Sequence, residues 1–413
     1  MTRPDSLSSI RGYLRAAALV AALGLGPVAP CVAQSGTYEQ LQTFSGVLNH
    51  IRMNYVDSVN TERLVEAAIS GMLRSLDPHS YYVSRREFEL RAQWDQGLLA
   101  SPGLALEDAD GVTTVLGVSA GGPAAKAGVQ PGDRLVALND SSVAGIGARA
   151  LEVRLLGEKG SRIRLTIERG STVQPDSFSV SFKRAIIEHH VVSVPQLAAP
   201  GVGYVRFSEF TMLGAKELLD AIRKLRGRGA RSLILDLRGN PGGDVAAMVQ
   251  IASAFLPERT EVFHTQGRKK NGYDQVITKE KGDFNDLPLI VLVDEGSASA
   301  SEMLTGSLQD HDRALVLGRR SFGKALMQTA LPLPAGDVVW LTVARVVTPS
   351  GRIIQRRYEG ISSEQYRALA GKSGAAEDTS VVFHTDHGRT VRGGGGIIPD
   401  VMRPLTAALP GWF

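Results

Sequence analysis

Three alternating serines, a lysine and a glutamine hold the chemistry of this chain. Ser297, Ser299 and Ser301 lie in Gly296-Ser-Ala-Ser-Ala-Ser-Glu302; Phe322-Gly323-Lys324 follows later, and Gln328 comes four places after the lysine. A serine hydroxyl becomes a useful nucleophile only when a base takes its proton. A lysine at its ordinary pKa near 10.4 is uncharged about once in 2,500 at pH 7, so it serves as that base only when desolvated. The apolar neighbours Phe322, Leu326 and Met327 suit such a pocket. The carbonyl of Gln328 would hold the amine without restoring its charge. Ser299-x-x-Glu302 also reads as a capping box, which needs no catalysis. Residue chemistry does not choose among the three serines.

The elements that position these groups follow from the pattern. The apolar run Leu287 to Val293 reads as a strand buried on both faces. Gly296 then permits a sharp turn, and the capping box opens a helix through Met303 and Leu304. A serine at a strand-turn-helix corner is exposed beside helix-terminal N–H groups. A second apolar strand, 232 to 237, runs into Arg238-Gly239-Asn240-Pro241-Gly242-Gly243 and a helix over about 245 to 255. Such a turn offers free N–H groups to an anion. Further strands are expected at 202 to 207 and 338 to 345, and a helix at 215 to 225 with Leu218, Leu219 and Ile222 on one side. Alternating strands and helices predict an α/β fold with a mostly parallel sheet. The polar stretch 356 to 391 carries His384-x-Asp386-His387, read as surface loop in preference to a metal site.

The 413 residues suffice for two or three domains. A formal charge of +4, half of it in the leader (Arg3, Arg11 and Arg15 against Asp5), argues against a nucleic-acid binder. That leader has Arg11 and Arg15, an apolar stretch from Ala16 to Leu25, then Cys31-Val32-Ala33. It reads as a secretory signal cleaved after Ala33, too short for a membrane span. The expected mature protein is exported, periplasmic and free of cysteine, with no later span. Residues 38 to 98 read as helical, with Leu41, Phe44, Val47, Leu48 and Ile51 at helical spacing; Pro78 stops the second helix in Leu76-Asp77-Pro78-His79-Ser80. His79 reads as a local turn residue.

From 99 to 184 short strands and glycine turns take over. Strands are expected at 112 to 118, 134 to 138 and 161 to 168. Pro123-Ala-Ala-Lys-Ala127-Gly128-Val-Gln-Pro131-Gly132-Asp133 between the first two resembles a PDZ domain. Gly103-Leu104-Ala105-Leu106 sits where such domains keep their carboxylate-binding loop, whose successive N–H groups form a nest for a peptide's terminal carboxylate.

Together, Leu76 to Ser80, the PDZ run, Leu235 to Gly243, Gly296 to Glu302, Phe322 to Lys324, Thr348-Pro-Ser-Gly-Arg352 and Ile398-Pro399-Asp400 resemble the carboxyl-terminal processing (tail-specific) proteases. The resemblance implies a crotonase-like α/β protease core, an inserted PDZ domain and an N-terminal helical segment. Its boundaries here are a signal at 1–33, a helical region at 34–98, PDZ at 99–184, and a core at 185–413 interrupted at about 356–391. It implies Ser299 as nucleophile, Lys324 as general base, Gln328 orienting it, and an oxyanion hole from the N–H of Ala300 and of Gly242 or Gly243. It implies no metal and no cofactor. The expected partners are proteins or peptides with apolar C termini, and a homo-oligomer is compatible with the reading. Leu156-Gly157 departs from the arginine common before that glycine, and Ala325-Leu326-Met327 from the usual small residues. The rivals are a triad using His311 or His189, and a non-catalytic PDZ adaptor.

Overall fold

The computed structural model describes residues 35–95, 98–109, 112–119, 121–144, 146–170, 175–187, 191–268, 275–361, 365–366 and 381–403. The expected signal peptide, Cys31 and His189 lie outside them. In chain order the elements are α1 (Ser35–Asn54), α2 (Thr61–Arg74), β1 (Tyr81–Val83), α3 (Arg85–Asp95), β2 (Leu104–Ala109), β3 (Val112–Val118), α4 (Pro123–Lys126), β4 (Arg134–Leu138), β5 (Ser141–Ser142), α5 (Ala148–Leu155), β6 (Arg162–Arg169) and β7 (Asp176–Lys183). There follow β8 (Gln196–Ala199), β9 (Val202–Arg206), α6 (Met212–Gly227), β10 (Ser232–Asp236), α7 (Val245–Phe255), β11 (Glu261–Gly267), β12 (Gln275–Ile277), β13 (Leu289–Val293), α8 (Ala300–Asp310), β14 (Ala314–Gly318), β15 (Leu326–Pro332), β16 (Val338–Val347), β17 (Val382–His384), β18 (Thr390–Arg392) and β19 (Val401–Met402).

The chain divides after Ala68 into two units. In the first, α1 leaves Leu41, Phe44 and Val47 exposed. Among the described residues no helix is long and apolar enough to cross a membrane.

Within the second unit, β2 to β7 form a separate sheet in the order β2-β3-β4-β6-β7, antiparallel throughout, with β5 on β4. The alternation of β6 puts Ile163, Leu165 and Ile167 inward, where they meet Val115, Leu135, Leu151 and Leu155. Pro123, at the first position of α4, has its φ preset for a helix. Ala100 bridges to Gly157 and Ser101 to Ala185, so the chain enters and leaves this module side by side.

The larger core is built on the sheet β19-β14-β13-β10-β9-β8. Its pairings from β19 to β9 are parallel, while β8 turns back on β9 through Pro200-Gly201 and is antiparallel. Leu233, Leu235, Val291, Val293 and Val316 face α6, α7 and α8 in one apolar cluster. Alternate residues Ile290 and Leu292 are only half-buried, so the expectation of a strand covered on both faces is corrected. A second sheet, β1-β16-β11-β12 with β15 on β16, is wholly antiparallel. The expected mostly parallel core is therefore corrected to a mixed α/β fold. The antiparallel part arises because short hairpin connections such as Pro334-Ala335-Gly336 leave no room for a crossover helix. β1 likewise interrupts the helical region expected over 38 to 98.

Candidate active site

Three neighbouring parallel strands, β10, β13 and β14, deliver their carboxyl ends to one place. In open α/β sheets that edge is where ligands bind. β10 leads into the Asn240-Pro-Gly-Gly turn, β13 into the three serines, and β14 into Phe322-Gly323-Lys324.

The first two turns are sewn together. Gly239 N–H donates to Asp294 Oδ1 at 2.8 Å, and Ala298 N–H to Asn240 O at 3.0 Å. Ser297 Oγ donates to Leu237 O at 2.8 Å, and Ser301 Oγ to Asn240 O at 2.9 Å. Ser297 and Ser301 are fully buried in these ties, whereas Ser299 is part-exposed. The structure thus separates three serines that chemistry left equal: two are structural and the middle one is accessible. Ser299 also holds φ at 56°, ψ at −115°, a conformation costing a non-glycine residue about 1–3 kcal/mol. It stands at the N-terminus of α8, where backbone N–H groups lack helical partners. Gly242, with φ 101°, packs so closely that a Cβ there would lie 2.8 Å from Ser299 Cβ and 2.9 Å from Ala300 N. The Gly242 N–H already donates to Asn240 Oδ1 at 2.9 Å. Neither Gly243 N–H nor Ala300 N–H donates to a partner among the described residues.

Glu302 joins the serine turn to the lysine loop. Its Oε2 accepts Ser299 N–H at 3.0 Å and Lys324 N–H at 2.8 Å; its Oε1 accepts Gly323 N–H at 2.6 Å and the Ser321 hydroxyl at 2.5 Å. One carboxylate oxygen therefore fixes the backbones of Ser299 and Lys324 within about 6 Å of each other. Burial pushes Glu302 up to about 7, against the pull of those four donors. Phe322 N–H adds a direct tie to Ser297 O at 2.9 Å. Beyond the lysine loop, Ser321 N–H donates to Ile397 O and Ile397 N–H to Ser321 Oγ, at 3.1 and 2.6 Å. Gly323 is wedged against Arg356, Gly395 and Gly396.

Gln328, on β15, donates its amide to Thr342 Oγ1 at 3.1 Å, and Thr342 N–H reaches Ser80 Oγ at 3.0 Å. This brings the Asp77-Pro-His-Ser turn beside the lysine loop. His79, read from the sequence as a local turn residue, is held near 4 by burial and then by the Lys324 charge, with Asp77 opposing. Its Nε2 lies 3.2 Å from Tyr366 Oη. Tyr366, fully buried, donates to Gly323 O at 3.2 Å and stacks edge-on against His79 and Phe322. Glu302, His79 and Tyr366 were not singled out as functional from the sequence. For Tyr366 the available signal was an aromatic in a mostly polar stretch that also holds Tyr358 and Phe383.

The other expectations fall elsewhere. His311 caps the far end of α8, about 18 Å along the helix from Ser299, with Nδ1 on Asp386 at 2.7 Å and Nε2 on Glu261 O at 2.7 Å. That geometry removes it as a partner for the serine. His387 donates its N–H to Asp312 at 2.6 Å. Gly103 and Leu106 lie at the start of the edge strand β2, beside α5; Gly103 N–H is bound by Ser101 Oγ and Leu106 N–H by Glu152 Oε1, each at 2.9 Å.

Residues 201–365 match the model of peptidase family S41, residues 114–169 that of the PDZ domain, and residues 29–86 that of the activating protease CtpB N-terminal domain. A carboxy-terminal-processing protease of Bartonella bacilliformis is 35% identical over 327 residues, 78% of this chain and 74% of the relative. The carboxy-terminal processing protease CtpA of Bacillus subtilis is 32% identical over 311 residues, 74% of this chain and 65% of that protein. Among solved structures, a photosystem II D1 C-terminal processing protease superposes with a TM-score of 0.55 at 25% identity, covering 87% of this chain and 86% of that one. The chain belongs to peptidase family S41, the carboxy-terminal processing proteases. It is a serine peptidase.

Proposed function

We propose that this protein is an exported, periplasmic serine endopeptidase that grips apolar C termini through its PDZ module and cuts near them with Ser299 and Lys324. The observation carrying this reading is the shared tether: one oxygen of Glu302 accepts the N–H of both residues. The core is read as crotonase-like, as the resemblance implies.

Uncharged Lys324 takes the Ser299 proton as Oγ attacks the scissile carbonyl. The resulting oxyanion is met by the N–H of Ala300 and of Gly243, favoured over Gly242 because the Gly242 N–H is already held by Asn240. Collapse releases the amine, which takes the proton from Lys324, and leaves an acyl-serine. Lys324 then takes a proton from the water that attacks the ester and returns it to Ser299 Oγ as the acid product leaves. Gln328, its amide nitrogen engaged by Thr342, has its carbonyl oxygen left for the lysine amine. Neutral His79 next to Lys324 adds no second positive charge at neutral pH.

Replacing Lys324 by Arg keeps charge and length but removes any neutral base. Hydrolysis of a peptide with an apolar free C terminus should fall about 10²- to 10⁴-fold, to the level of Ser299→Ala. Activity retained by the arginine variant rules the mechanism out.

A further inference from the structure

The PDZ module holds a carboxylate of its own at the place assigned to the substrate's. β2 is the edge strand of its sheet, and α5 flanks it. An edge strand of this kind binds an extended peptide as an added strand, through outward N–H and C=O groups. Leu106, the last residue of the loop read as the terminal-carboxylate nest, gives its N–H to Glu152 Oε1 at 2.9 Å. Glu152 reaches there from the middle of α5. Gly103 N–H, at the other end of the loop, is bound by Ser101 Oγ at 2.9 Å.

We infer that Glu152 is an internal competitor for incoming C termini and sets the affinity a tail must have to be captured. The inference rests on reading Gly103 to Leu106 as the carboxylate loop. The Glu152 carboxylate and a peptide's terminal carboxylate are the same chemical species, and both seek the same charge-assisted bond. A docking tail must displace Glu152. The displaced side chain then remains on the groove wall as a like charge facing the tail's carboxylate. Both effects weaken binding, and the second acts only on peptides with a free carboxylate. Weak tails therefore pass unbound, and only those with enough apolar burial or strand pairing displace the glutamate.

The test uses the full chain carrying Ser299→Ala, so that nothing is cut. Fluorescence anisotropy measures binding of a short fluorescein-labelled peptide ending in two valines, as free acid and as C-terminal amide. Adding Glu152→Ala should tighten Kd for the acid about tenfold, and for the amide by less. Glu152→Gln, which keeps an acceptor but no charge, should fall between. Thermal melts identify any variant that has lost its fold. Unchanged Kd for the acid in both folded variants overturns the inference while leaving the groove reading intact. Failure of the Ser299→Ala parent to prefer acid over amide overturns the groove reading, and the inference with it.

Discussion

At the scale of single residues, Glu302 does more than its place in the sequence announces. The capping box made its bond to the Ser299 N–H legible, since that needs only a four-residue pattern. Its bonds to Ser321, Gly323 and Lys324 join segments about twenty residues apart, which no local pattern encodes. Glu302→Gln puts an amide among donors and leaves at least one buried N–H without an acceptor. That change should lower kcat/KM at least about 10²-fold and unfolding stability by about 1–3 kcal/mol. Labelling of Ser299 by a fluorophosphonate, alongside urea unfolding, checks both; wild-type labelling in Glu302→Gln would sink the tether. Ser299 itself was legible as one of three candidates. What separated it from Ser297 and Ser301 was their burial against the carbonyls of Leu237 and Asn240 in the turn after β10, again a non-local fact.

At the scale of elements, the site depends on adjacency of strand ends. The strands at 232–236 and 289–293 and the helix at 245–255 were readable from apolar runs and turn residues, because each is long and locally consistent. The antiparallel sheet was not, because β1 is a three-residue strand whose partner lies over 250 positions away. Gly242 shows how little slack the adjacency leaves. Gly242→Ala must place a methyl 2.7 Å from Ala298 O, at a φ of 101° that side chains rarely adopt. The turn must move, so fluorophosphonate labelling should fall at least about tenfold and stability by about 1–3 kcal/mol. Gly160→Ala, also at positive φ but in open space, serves as the control and should keep labelling at the wild-type level.

At the scale of the second unit, His79 links the turn before β1, the Lys324 loop and Tyr366. Its folded-state pKa of about 4 lies below the unfolded value of 6.5. Above 6.5 neither state is protonated, and no penalty applies. As pH falls from 6.5 to about 4 the unfolded chain takes up a proton that the folded one refuses, and stability drops by about 3 kcal/mol. Lys324 and Asp77 are the charged groups acting on it. Glu302, raised to about 7, gains a proton on folding over the same range and opposes this loss, so the His79 share is read as a difference: the urea midpoint of the parent should fall relative to that of His79→Gln as pH drops from 6.5 to about 4. An identical slope in both proteins would remove His79 from the account.

The grip of Ile397 on Ser321 has a consequence for how a newly made copy behaves. A chain cut short before residue 395 has no clasp behind the lysine loop, whatever else has folded. Contacts spanning about seventy-five residues form after local ones, since loop closure must precede them. Cutting power is therefore expected to require residues 395–397, and a chain truncated after residue 394 should show fluorophosphonate labelling of Ser299 well below the wild-type level.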